Sequence, residues 1–367
     1  MKKLFFVAAA ATAILASCQK DVEPQTNEGS VALSLSASAP TVNVQTKAAV
    51  DAWADTPIVA FATKTTVDGT ESVFADKDLT VATDGSIVLE VEDGVPYFYA
   101  ERAVYDFYAY YAGGADFTEV EGFDNTSNIA YNVEFDGSDD VMYAMADKTK
   151  DLAKVDADYA ADNVTEADLY SAWAARRGVQ PTLVFEHALT RFNFNVIGAD
   201  EAAETVRIKA VTMETANTGV LTVLGDTPGF VAGADKVWLS LKNAADEEVE
   251  NLEYDVTVAT DDDELASSLM VAPEMTSVSV MVYMQNEVNG EYVDINEPYE
   301  IALDIDKVNF EGADEGAPTD RFAAGYAYDL NIKVYGPQAI ELTAELTPWK
   351  IGGSASFDPD EDYRPGL

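Results

Sequence analysis

Apolar residues occupy every second position in several short runs of the chain. The clearest runs are residues 31–37, 87–91, 278–284, 328–334 and 340–346. A period of two predicts β-strands that bury one face. Asp-Gly and Asn-Gly pairs favour the tight turns of β-hairpins. They lie at residues 68–69, 84–85, 93–94, 136–137 and 289–290. The pattern therefore predicts an all-β fold of antiparallel β-sandwiches.

Helical spacing is rare in this chain. Residues 165–177 are the best candidate for a helix, because apolar residues recur there at helical spacing and Gly178 follows. We therefore expect few short helices. The sequence contains no repeat of about 20–50 residues, which argues against a solenoid or a propeller.

The apolar positions change parity near residue 190. Leu183, Phe185 and His187 are odd-numbered, whereas Phe192 and Phe194 are even-numbered. A slip of one residue turns every side chain to the other face of a sheet. A β-bulge at Thr190-Arg191 explains the change, and so does a strand that leaves one core and enters a second.

The length of 367 residues fits two domains of about 100–200 residues each. We place the boundary at the parity change. The predicted segments are a signal peptide at 1–17, a polar tether at 18–30, sandwich domains at 31–189 and 190–350, and an acidic tail at 351–367.

The N-terminus has the pattern of an exported protein. Lys2 and Lys3 precede an apolar run at residues 4–15, which is shorter than the ~20 residues of a membrane-spanning helix. Leu-Ala-Ser-Cys, ending at Cys18, resembles a bacterial lipobox and implies cleavage before Cys18 and lipidation of its thiol. A plain signal peptide that ends in a cysteine by chance is the alternative. The acidic run at 19–23 resembles the surface-export signal of Bacteroidota lipoproteins, which implies the outer face of the outer membrane.

Charge and composition exclude several functions. With 22 Lys and Arg against 66 Asp and Glu, the net charge is −44. Such a polyanion is unsuited to nucleic acid, and it is unsuited to polybasic docking on an anionic membrane. One Cys and one His exclude a disulfide framework and a zinc site built of Cys and His clusters. We therefore predict no cofactor and no metal.

Few residues suggest catalysis or ligand binding. His187 stands on an apolar parity, which favours a core or interface residue over a catalytic base. The acidic runs at 261–264 and 358–362 lack the spacing of a calcium loop, so solvated loops are the better interpretation. Aromatic residues crowd 97–111 on both parities, which favours a packed core over a platform for sugars. We predict no catalytic residue and no enzyme.

Four segments, taken in order, resemble the fimbrillin family, the pilus subunits of Bacteroidales. They are residues 105–111 (YDFYAYY), 140–144 (DVMYA), 183–191 (LVFEHALTR) and 325–330 (GYAYDL), the last followed by Thr347-Pro348-Trp349. The resemblance implies two tandem transthyretin-like β-sandwich domains. It also implies export as a lipoprotein, removal of the first strand by a trypsin-like protease, and polymerisation as a neighbour's C-terminal strand fills the groove.

The residues of this chain permit that mechanism. The removable first strand has apolar residues at alternate positions: Val31, Leu33, Leu35 and Ala37. The predicted processing site is Lys47-Ala48, because Lys47 is the only basic residue between Lys20 and Lys64. The predicted donor strand also alternates, with apolar residues at Ile340, Leu342, Ala344 and Leu346. Main-chain hydrogen bonds and alternate side chains are the means by which an added strand binds a sheet.

The expected partners are other copies of the chain, related pilus subunits, the protease, and a host or bacterial surface receptor. We expect a cell-surface location in a fimbria, with attachment to the outer membrane through Cys18 before processing. A stalk subunit is the leading interpretation, and an anchor subunit or a tip subunit remains open. Two other classes also remain: a monomeric surface lipoprotein that binds glycans, and a carboxylate-based glycosidase.

Overall fold

The structure is a computed structural model. It describes residues 32–38, 53–89, 97–153, 155, 164–176, 179–199, 201–241, 254–256, 263–295, 297–310, 317–337, 339–345 and 354–355.

Strands dominate these residues, and we number them in chain order. The first nine are β1 Leu35–Ser38, β2 Thr56–Thr66, β3 Gly69–Val81, β4 Ser86–Ile87, β5 Val104–Tyr111, β6 Asp116–Glu119, β7 Ile129–Glu134, β8 Met142–Ala146 and β9 Thr182–His187. The next seven are β10 Thr190–Gly198, β11 Val206–Thr215, β12 Thr218–Leu224, β13 Gly229–Ala232, β14 Val237–Ser240, β15 Tyr254–Asp255 and β16 Asp263–Val271. The last are β17 Ser277–Val288, β18 Glu291–Asp294, β19 Tyr299–Asp304, β20 Val308–Asn309, β21 Ala327–Gly336, β22 Ala339–Glu345 and β23 Ser354–Ala355. The all-β fold class is confirmed.

Seven strands form a closed barrel in the order β1-β4-β3-β2-β5-β8-β9. The first strand, β1, closes this barrel, because it pairs antiparallel with β4 and parallel with β9. A second parallel pair joins β10 to β21. The turn pattern predicted only antiparallel pairs, since Asp-Gly and Asn-Gly turns report strands that are consecutive in the chain and these two pairs are not.

Three further sheets are present. One has four strands in the order β13-β12-β7-β6, and another has the order β16-β10-β21-β22-β23-β20. The last has the order β14-β11-β17-β18, with β15 on β11 and β19 on β17. The sheet β13-β12-β7-β6 combines strands from both sides of residue 190, so a division into two domains at that position stays a prediction.

The described residues bury two hydrophobic clusters. The first, which we call the barrel core, includes Leu33, Tyr105 and Phe185. The second includes Phe194 and Leu330. This separation explains the parity change. β9 belongs to the barrel and β10 to the six-stranded sheet, so the chain changes core between them and the alternative of one bulged strand does not hold.

The helix predicted at 165–177 is wrong. The structure has a 3₁₀ turn at Glu166–Asp168 and a helix, α2, at Ala172–Ala175; α1 is Lys148–Leu152. Other 3₁₀ turns lie at Ala203–Thr205 and Ile305–Lys307. The break falls at Tyr170, which has a φ of 54° and donates its hydroxyl proton to the buried Asp151 at 2.6 Å. Burial of this aromatic residue therefore outweighs local helix propensity. None of the helices in the described ranges is long and apolar enough to cross a membrane.

The aromatic segment at 97–111 lies mostly inside the protein, as predicted. Five of its aromatic side chains are buried: Tyr99, Tyr105, Phe107, Tyr108 and Tyr110. Tyr97 and Tyr111 are half-buried, and Phe98 has 41% of its surface exposed. Burial, with a smaller effect of the neighbouring Asp106, raises the pKa of Tyr108 to about 12. The segment therefore serves as core, and the aromatic crowding gives no support to a sugar platform.

Candidate functional site

The first strand, β1, lies between β4 and β9 in the barrel and pairs with both of them. Leu35 is the register partner of Ile87 on β4, and Ala37 is the register partner of Leu183 on β9. The Ala37 amide donates to the Gly85 carbonyl at 2.8 Å. Because β1 pairs on both edges, its loss would open the barrel between β4 and β9.

The side chains of residues 33–38, which are β1 and the two residues before it, alternate between the barrel core and solvent. Leu33, Leu35 and Ala37 are 3%, 4% and 7% exposed, whereas Ser34 and Ser38 are exposed. Full burial of a leucine side chain contributes about 1.5–3 kcal/mol. The two leucines therefore hold β1 in place, and their removal would leave two apolar pockets facing water.

The polar side of β1 is held by the residues that begin β9. The Ser34 amide donates to Gln180 Oε1 at 3.4 Å, and the Ser36 hydroxyl lies 3.2 Å from that of Thr182. The hydroxyl of Tyr99 also donates to Gln180 Oε1, at 3.3 Å. Burial raises the pKa of Tyr99, with smaller contributions from Tyr105 and Asp151. Tyr99 thus stays protonated and remains a donor at neutral pH.

A buried carboxylate fixes the start of β9. Asp151 Oδ2 accepts hydrogen bonds from the Tyr170 hydroxyl at 2.6 Å and from the Thr182 amide at 2.9 Å. Thr182 is the register partner of Ser36. The start of β9, with which β1 pairs, is therefore held in place by hydrogen bonds to the buried Asp151.

Gly85 lies against the backbone of β1. It has a φ of +80°, and a Cβ atom built on it would lie 2.5 Å from the carbonyl oxygen of Ala37 and 3.9 Å from Trp53 Cδ1. Asp84-Gly85 was predicted as a turn from its sequence. The structure adds a second reason for glycine, because a side chain here would collide with the backbone of β1.

We expect Gly85→Ala to loosen β1. The matched control is Gly290→Ala, because Gly290 has a φ of +84° and nothing within 4 Å of its built Cβ. The two glycines have nearly the same positive φ, so the difference between the variants reports the collision with β1. We expect Gly85→Ala to lower the free energy of unfolding by about 1–3 kcal/mol more than the control does, measured by urea titration. Equal losses in the two variants would show that Gly85 does not support β1.

The structure describes some of the other predicted site residues and not the rest. Leu33, Leu35 and Ala37 lie together in the barrel core, and Ile340, Leu342 and Ala344 lie on β22. Five predicted residues lie outside the described residues: Cys18, Val31, Lys47, Ala48 and Leu346. The signal peptide, the tether, the acidic run at 358–362 and most of the tail lie outside them as well. Lipidation and processing therefore stay predictions.

The predicted donor strand, β22, pairs along its whole length with β21. Ile340 is opposite Val334, Leu342 is opposite Ile332, and Ala344 is opposite Leu330. All three partners on β21 are fully buried. On its other edge, β22 pairs with β23 through Ala344 and Ala355 alone, as far as the described residues extend. β22 is thus a strand held mainly by one neighbour.

His187 is buried, as predicted, and has a partner that the sequence did not indicate. Its Nδ1 atom lies 2.8 Å from Oδ1 of Asp140, which is also buried. Two of the family-like segments meet here, because β8 and β9 pair with Met142 opposite His187. The described residues contain no cluster of three or more His, Cys, Asp or Glu side chains that could hold a metal ion. The contact between His187 and Asp140 links the end of β9 to the segment just before β8.

Sequence comparison identifies the class of protein. A sequence model described as fimbrillin-like matches residues 46–349. The chain therefore belongs to the fimbrillin-like family, which consists of fimbrial and adhesive structural proteins of the cell surface and is not an enzyme family. No match is found among curated proteins.

Comparison with solved structures finds relatives of the fold. A candidate cell adhesion protein from Bacteroides ovatus ATCC 8483 is 15% identical with a TM-score of 0.50, covering 90% of this chain and 99% of that one. A candidate cell adhesion protein from Bacteroides uniformis ATCC 8492 is 15% identical with a TM-score of 0.47, covering 89% and 100%. The tip fimbrial protein Mfa3 from Porphyromonas gingivalis is 9% identical with a TM-score of 0.35, covering 90% and 100%. The first of these supports the fold assignment.

Proposed function

We propose that this protein is a structural and adhesive subunit of a cell-surface pilus, and that its subunits polymerise by strand exchange. One observation carries the proposal. β1 closes the barrel between β4 and β9, and Leu35 and Ala37 of β1, with Leu33 just before it, lie in the barrel core. Removal of this single strand at the N-terminus would open an apolar groove with two unpaired edges.

Processing converts the closed subunit into an acceptor. The chain is exported as a lipoprotein through Cys18, and a trypsin-like protease cuts after Lys47, in the segment that joins β1 to Trp53. Before the cut, β1 is tethered beside its groove at a high effective concentration. After the cut, the released segment must compete as a separate peptide, so a strand of another subunit can replace it.

The donor is the C-terminal strand of a neighbouring subunit. Residues 340–346 offer four alternating apolar side chains, and their strand β22 is paired mainly with β21. A donor at one end and a groove at the other form a heterologous contact that does not close on itself, which generates a filament. The proposal is therefore a stalk subunit, since a tip subunit would donate no strand and an anchor subunit would keep its lipid and β1.

Limited trypsin digestion of residues 19–367 tests this proposal. We expect the first cut after Lys47, identified by mass spectrometry, followed by a ladder of multimers that resists mild denaturant on a gel. Lys47→Gln removes the proposed site and preserves the length of the segment, so it should stay monomeric under the same digestion. A protein that is cut after Lys47 and remains monomeric contradicts the stalk assignment, and ligand screening for an adhesive role would then come first.

A further inference from the structure

We propose that the acceptor groove takes the donor strand of a second copy of this chain in a single register. Ile340, Leu342 and Ala344 occupy the places that Leu33, Leu35 and Ala37 hold in the closed subunit. This inference rests on the proposed function. It adds which residues set the register of the donor strand, and that the donor strand of one copy is complementary to the groove of another copy.

The two strands share one order of sizes. β1 and the two residues before it read Leu33-Ser34-Leu35-Ser36-Ala37-Ser38, and the donor reads Ile340-Glu341-Leu342-Thr343-Ala344-Glu345. In both segments two large aliphatic side chains are followed by alanine at alternate positions. The donor can therefore fill two large pockets and one small pocket in the same direction along β9, with which β1 is parallel.

The small pocket at Ala37 discriminates between registers. Ala37 is 7% exposed, its register partner Leu183 is fully buried, and its backbone lies against Gly85. Trp53 Cδ1 lies 3.9 Å from the Cβ atom built on Gly85, and the Trp53 ring packs edge-on against Phe185, with ring centroids 5.0 Å apart. A leucine at this point would add three carbons to a filled site, and overpacking of a core is destabilising.

A donor strand shifted by two residues does not fit, because its side chains no longer match the sizes of the pockets. A shift in one direction brings Leu342 to the small pocket, and a shift in the other brings Leu346 there and leaves Ala344 in the large pocket of Leu35. The first overpacks the pocket. The second overpacks it as well and leaves a cavity where Leu35 was.

A donor strand shifted by one residue does not fit, because it would bury the charge of a glutamate. A shift in one direction places Glu341 and Glu345 at the positions of Leu33 and Ala37, and a shift in the other places Glu341 at the position of Leu35. An unpaired carboxylate in the barrel core is costly. In the proposed register both glutamates take the exposed positions of Ser34 and Ser38. Thr343 takes the position of Ser36, whose hydroxyl lies 3.2 Å from that of Thr182. The hydroxyl pair between β1 and β9 is thereby preserved between subunits.

Cysteine pairs can measure the register directly, because the chain from residue 19 onward contains no cysteine. Thr182→Cys combined with Thr343→Cys brings the two sulfur atoms together across neighbouring subunits in the proposed register. The matched pairs are Thr182→Cys with Glu341→Cys and Thr182→Cys with Glu345→Cys, which are displaced by about 7 Å along the strand. That displacement is beyond the reach of a disulfide.

Each double variant is digested with trypsin, oxidised mildly, boiled in detergent and run on a non-reducing gel. We expect covalent multimers from the Thr343→Cys pair and at least about tenfold less from the two displaced pairs, since disulfide geometry is strict. Ladders that form without reductant-sensitive cross-links in this pair, or with the strongest cross-link in a displaced pair, overturn the register and leave strand exchange standing. If even the wild-type protein forms no ladder after the cut at Lys47, both the proposed function and this inference fail.

Discussion

A disulfide between positions 36 and 182 is expected to abolish polymerisation even after the chain is cut after Lys47. Ser36 and Thr182 are register partners on β1 and β9, and their hydroxyl oxygens lie 3.2 Å apart. The double variant Ser36→Cys with Thr182→Cys therefore places two sulfur atoms within bonding reach. The cut releases β1 only if nothing else holds it, and the disulfide holds it in the groove.

The test compares the digested double variant before and after reduction on a gel. The oxidised form should remain monomeric, and a reductant should restore the ladder to the wild-type yield. Ser36→Cys alone is the control, because it changes the same position of β1 and cannot form the bond within one subunit. An oxidised double variant that polymerises as well as the reduced one would show that β1 does not have to leave.

Leu342→Asp is expected to abolish the donor function. In the proposed mechanism Leu342 enters the pocket of Leu35, which is 4% exposed in the closed subunit. An unpaired carboxylate in such a pocket costs several kcal/mol, and the substitution also removes the about 1.5–3 kcal/mol that a buried leucine contributes. The cut variant should therefore form no ladder on its own.

Two comparisons separate this effect from misfolding. Glu341→Asp puts the same side chain one residue away, at a position expected to face solvent, and should polymerise normally. Cut Leu342→Asp retains its own groove, so it should accept a wild-type donor and shorten mixed ladders as its share increases. Normal ladders from Leu342→Asp alone would contradict the assignment of the donor strand.

Strand positions followed from the sequence where burial alternates. The run 278–284 lies in β17 with Val278, Val280, Val282 and Met284 buried, and the run 328–334 lies in β21 with the predicted side chains buried. Alternation reports local geometry, so it locates a strand and its buried face. It contains no information on which strand lies beside it, so the parallel pairs of β1 with β9 and β10 with β21 were not predicted.

For the same reason, the sequence predicted the buried side chains of the first strand but not the residues that contact it. The burial of Leu33, Leu35 and Ala37 followed from their alternation. Gln180 and Thr182 could not be found in this way, because they contact β1 from about 145 positions further along the chain. Asp84-Gly85 gave a turn signal, but its contact with β1 depends on how the barrel closes.

The mass of the subunits recovered from the polymer tests the central claim most directly. Wild-type protein is cut with trypsin, the multimers are separated from monomers, and each fraction is denatured and measured by mass spectrometry. Strand exchange predicts that polymer subunits begin at Ala48 and that the segment ending at Lys47 is absent from the multimers and present in unpolymerised protein. Multimers that retain this segment in one-to-one ratio with the rest of the chain would show that the groove of β1 is not where the subunits join.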